Sequence, residues 1–70
     1  MNRKMLKTSV EKVTGRSDVI AYVAETLGIS KSSAAMKLRG DAPMSINQAC
    51  KIRDALHLTS SDFSQIFLEG

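Results

Sequence analysis

Val23-Ala24-Glu25-Thr26-Leu27-Gly28-Ile29-Ser30, followed by Lys31-Ser32-Ser33-Ala34-Ala35-Met36-Lys37-Leu38-Arg39, is the stretch whose reading decides the fold. Two helices that meet across a sharp bend need a small residue where they touch, and Ala24 supplies it. Gly28 then allows a positive φ at the bend, a conformation open to glycine because it lacks a Cβ. Ile29 is an apolar plug entering the core from the turn, and Ser30 offers a hydroxyl to cap the next helix. Ala34 and Leu38 complete the contact between the pair. Any two of these features would suit an ordinary helix hairpin. In register, they predict a helix-turn-helix over residues 18–39.

Upstream, Ser17-Asp18 forms a good amino-terminal cap, and Val19, Ile20, Val23, Ala24 and Leu27 line one side of a helix from about Asp18 to Leu27. An earlier helix runs from about Arg3 to Val13. Its Leu6, Val10 and Val13 form one stripe toward the core, and Gly15 ends it. The helix of the motif that runs from about Lys31 to Arg39 has a narrow inner side, Ala34 and Leu38. Its outward arc holds Ser32, Ser33, Ala35, Met36 and Arg39, with Lys31 and Lys37 flanking. Gly40 stops it, and Asp41-Ala42-Pro43-Met44 reads as a turn because proline lacks a donor and disfavours helix just before it.

Downstream, Ser45 caps a helix from about Ile46 to His57, buried through Ile46, Ala49, Ile52 and Leu56. Thr59 caps a last short helix, Ser60 to Leu68, that carries Phe63, Ile66 and Phe67. The alternation expected of strands is missing throughout. The expected fold class is therefore all-α, a single five-helix domain over residues 1–70.

Composition narrows the function classes. A chain of 70 residues makes one domain at most, and 43% hydrophobic residues are enough for a compact core. One cysteine, Cys50, and one histidine, His57, give neither an internal disulfide nor a metal site, so no cofactor or metal is expected. No apolar run approaches the ~20 residues that cross a bilayer. The basic start, Met1-Asn2-Arg3-Lys4-Met5-Leu6-Lys7, lacks the apolar stretch of a signal peptide. A cytoplasmic location in a bacterial host cell or its nucleoid, with no membrane partner, is expected. Catalysis is not: nothing pairs a nucleophile with a base, and no glycine-rich phosphate loop is present. The net charge of +3 suits a polyanionic partner, with the cations concentrated early and mid-chain and only Lys51 and Arg53 in the last third.

Leu27-Gly28-Ile29-Ser30, the nine-residue helix after it, the Lys37-Leu38-Arg39-Gly40 ending and the proline-containing turn resemble the lambda-repressor/Cro-like family of phage and bacterial regulators, in particular its small Cro-type members. The resemblance covers about Ser17 to Leu58. It implies a five-helix domain whose third helix enters the major groove of an operator in double-stranded DNA, usually as a homodimer on a two-fold symmetric site, so that the chain acts as a transcriptional repressor. Two departures stand out. Ile20 occupies a position where family members often carry a phosphate-gripping glutamine, and the outward arc has no Gln, Asn or Glu.

Matched to the family's positions, Lys31, Ser32 and Met36 face base edges, with Ser33 and Ala35 at the edge of the same arc. Lysine suits guanine, the serines adapt to either role, and Met36 or Ala35 suits thymine methyls. Lys37 and Arg39 fall where phosphates would pass. Ser45 and Asn47 offer donors to a phosphate at the positive end of the fourth helix. Arg3, Lys4 and Lys7 form an electrostatic arm in this reading, and each phosphate neutralised steepens the salt dependence by about 1 in slope. Phe67 and Leu68, adjacent in sequence, cannot both face one core, so one is left for a dimer or partner contact. The rival reading is an antirepressor of the same fold that binds a phage repressor protein. The modest charge, the bland third helix and Ile20 all lean that way.

Overall fold

The computed structural model describes residues 1–68, and all of their regular structure is helical. The helices are α1 (Arg3–Thr14), α2 (Val19–Leu27), α3 (Lys31–Arg39), α4 (Ile46–Leu56) and α5 (Ser60–Phe63), the last continued by a π-helical turn (Ser64–Leu68). Among the described residues there is no strand, and no helix is long and apolar enough to cross a membrane.

Each helix begins at a side chain that satisfies a backbone donor left over by helix geometry. Asn2 Oδ1 accepts from Met5 N–H at 3.1 Å and Asp18 Oδ1 from Ala21 N–H at 3.0 Å. Ser30 Oγ accepts from Ser33 N–H at 3.1 Å, and Thr59 Oγ1 from Asp62 N–H at 3.1 Å. Ser45 goes further and forms a capping box. Its hydroxyl accepts from Gln48 N–H while the Gln48 side chain accepts from Ser45 N–H.

The core joins α1, α2, α3 and α4 with the π-helical turn that follows α5. Leu6 and Val10 of α1, Val23 of α2, Ala34 of α3, Ile52 of α4 and Ile66 of the π-helical turn are fully buried, with Tyr22, Leu27, Leu38 and Leu56 almost so. The α2 helix is the hub and packs on α1, α3 and α4. That is why α2 buries more than one stripe: Ala21 and Tyr22 lie inside together with Val19, Val23, Ala24 and Leu27. Ile20, expected with them, is half-buried instead.

Two expected core residues are corrected. Val13 is 49% exposed and Ile46 62% exposed. Both have the right periodicity and stand at helix ends, where the partner helix no longer reaches. Val13 looks across an open groove at Leu56 and Leu58, and Ile46 lines a second groove with Met44, Phe67 and Leu68. His57 also leaves the helix predicted for it: it follows α4 as a cap with φ of 54°.

The last helix starts as expected and changes character. After one α turn it widens to π, and Phe67 packs on the core while Leu68 stays 65% exposed. Phe63 and Phe67 pack as a tilted pair with centroids 5.2 Å apart, and the Arg53 guanidinium lies 5.6 Å from the Phe63 ring centre. Asn2 N–H donates to the Ile66 carbonyl at 2.6 Å and ties the start of α1 to this segment.

Candidate nucleic-acid interface

The turn between α2 and α3 is where local chemistry creates a presented surface. Gly28 takes φ of 68°, and Ile29 N–H bonds back to the Ala24 carbonyl at 3.0 Å. The chain therefore reverses within Gly28-Ile29-Ser30, and Ile29, half-buried, packs against the core as the plug. Ser30 then starts α3.

Only Ala34 and Leu38 of α3 are buried. Lys31, Ser32, Met36 and Arg39 are exposed, and Ser33, Ala35 and Lys37 are half-buried at the flanks. The expected reading face is thus brought together on one outward arc, with Met36 42% exposed at its centre. Ser33 is less free than its neighbours, because its hydroxyl accepts from Ser30 Oγ–H at 3.0 Å.

The two border cations are partly engaged. Lys37 Nζ donates to the Pro43 carbonyl at 2.7 Å, and Arg39 Nε pairs with Asp41 Oδ2 at 3.0 Å. Both contacts fasten the α3–α4 turn. Downstream, Ser45 and Asn47 sit exposed at the amino-terminal turn of α4, but the Ser45 hydroxyl is occupied by its capping box. What this turn still presents outward is backbone N–H of the first residues and the Asn47 amide.

Arg3, Lys4 and Lys7 do not form a loose arm. They belong to α1, whose start is held by Asn2, and their charge is fixed on a helix face beside the beginning of α2. Phe67 and Leu68 line a groove of about 310 Å³ with Met1, Pro43, Met44 and Ile46.

An ion pair that the sequence did not signal braces the motif from behind. Arg16 holds both Glu25 oxygens, at 2.6 and 3.2 Å, and its guanidinium lies 5.9 Å from the Tyr22 ring centre. The paired hydrogen bonds hold the Glu25 carboxyl below the ordinary glutamate range and raise Arg16 further. The partners are nine residues apart across the α1–α2 turn. No spacing rule links them, whereas Arg39 and Asp41 lie close enough in sequence for their pairing to have been foreseen.

Compared with protein-family models, curated proteins and solved structures, the chain matches none.

Proposed function

We propose that the chain is a sequence-specific DNA-binding regulator of the Cro-like kind, with α3 in the major groove. The observation that carries this reading is the make-up of α3. It is anchored by two small contacts, Ala34 and Leu38, and gives the rest of its surface to Lys31, Ser32, Met36 and Arg39. In this reading Lys31, Ser32 and Met36 meet base edges, with Ser33 and Ala35 beside them. The first turn of α4, with Ser45 and Asn47, meets a phosphate. Lys37 and Arg39 add field at the borders while each keeps its place in the turn. Two such helices on a symmetric operator, one from each copy, would compensate for a short list of readers.

Fluorescence anisotropy on the DNA upstream of the coding region tests this. The expected result is a preference of ~10³-fold or more over random duplex, with affinity falling steeply as salt rises. Lys31→Ala should cost ~1–3 kcal/mol on the operator and less on random DNA. Equal binding to both duplexes overturns the proposal.

The engagement of Lys37 with the Pro43 carbonyl and of Arg39 with Asp41 favours a second reading, since both cations are already drawn to the turn. In that reading the same arc, centred on Met36, binds a phage repressor protein as an antirepressor. A stoichiometric complex with the repressor encoded nearby, abolished by Met36→Glu and formed without any operator preference, selects it.

A further inference from the structure

A second surface lies apart from α3. The start of α1 and the start of α2 enclose an open groove of about 560 Å³, to which no residue of α3 contributes. Arg3, Lys4 and Lys7 line it from α1, and Ser17, Asp18, Val19 and Ile20 from the start of α2. The three cations are exposed and, at spacings of three and four, share one face of α1. The ion pairs among the described residues are Arg16–Glu25, Arg39–Asp41 and Arg53–Asp54, so none of these three is held in one. One carboxylate, that of Asp18, also lines the groove, and its Oδ1 accepts the capping bond from Ala21 N–H. Among the described residues the groove thus sets three cations against one carboxylate, a net positive lining with Val19 and Ile20 as its apolar part.

We propose that this groove binds an acidic peptide segment of a protein partner, with an apolar side chain seated on Ile20 and flanking carboxylates reaching Arg3, Lys4 and Lys7. Charge complementarity alone would suit any polyanion, and the apolar part of the lining decides between them. A nucleic-acid backbone presents anionic oxygens, and over Ile20 they would lose water and gain no donor. A peptide offers both kinds of group, as amphipathic segments do when they dock on mixed grooves. The site is independent of what α3 reads. Failure of operator binding leaves it untouched, and the reverse also holds.

The test uses the whole chain and three probes: a labelled peptide alternating Leu with Asp and Glu, the same peptide with Ser for every Leu, and a random-sequence DNA duplex. Amide spectra locate each probe and anisotropy measures it. The Leu peptide should shift the amides of Lys4, Lys7, Val19 and Ile20 and bind at least ~10-fold more tightly than its Ser counterpart. Ile20→Ser should erase that difference, and Lys4→Glu combined with Lys7→Glu should remove binding of both peptides. The lysine pair is exposed, so it reports on the groove even if Ile20→Ser does not fold. Equal binding of the two peptides, or shifts centred elsewhere, overturns the proposal. So does a duplex that moves these same amides more than the Leu peptide and loses affinity on Lys4→Glu, which would make the occupant nucleic acid.

Discussion

At Gly28 the backbone sits at φ of 68°, and a Cβ added there would meet nothing within 4 Å. The obstacle to substitution is therefore conformational, not steric. Gly28→Ala should lower stability by ~1–2 kcal/mol, the cost of holding an L-residue in the left-handed region, as read by denaturant unfolding. His57 presents the opposite case, a side chain already carrying that cost at φ of 54°. His57→Gly should raise the unfolding free energy by up to ~1 kcal/mol, once the greater freedom of glycine in the unfolded chain is set against the relieved strain, as read by denaturant unfolding. The Arg16–Glu25 pair gives a pH signature. Because the Glu25 carboxyl is depressed in the folded state, its contribution is present above the unfolded glutamate value and fades as pH falls through the folded one. Arg16→Ala should return the Glu25 titration, followed by NMR, to the ordinary glutamate range. The global effect should be small, since both side chains remain open to solvent, at 39% and 65% exposure.

The helix scale separates what a linear pattern encodes from what packing adds. Ile52 is fully exchanged for core contacts in α4, and Ile52→Ala should cost ~2–5 kcal/mol in chemical denaturation. That position was legible, as were the caps at Asp18, Ser30, Ser45 and Thr59 and the bend at Gly28, because each depends on neighbours a few residues away. Val13 and Ile46 obey the same periodicity yet stay exposed, since a helix end is covered only if another helix happens to pass it. The outward arc of α3 was equally legible, being what remains once Ala34 and Leu38 turn in. The engagement of Lys37 was not, because it depends on where the Pro43 carbonyl lands after the turn closes. Lys37→Met separates its two possible duties. A residue that mainly fastens the turn should, when replaced, speed amide exchange at Asp41, Ala42 and Met44 and leave the salt slope of DNA binding nearly unchanged. Loss of a phosphate contact would flatten the slope by ~0.9.

On the scale of the whole molecule, the α3 arc and the α1–α2 groove have different lining residues and different chemistry. Their variants should therefore act independently. Lys31→Glu should impair binding at α3 and leave the acidic peptide in place, and Lys4→Glu the reverse, with the double variant showing the sum of the two losses.

Because α3 buries just Ala34 and Leu38, its exposed positions Lys31, Ser32 and Met36, which hold no side-chain contact that fastens the turns, are only weakly coupled to the folding of the domain. Selection is free to rewrite them one at a time, at little risk to the scaffold, and a laboratory graft of another helix's outer letters onto this frame faces the same low barrier. Such a module diversifies its targets faster than its architecture.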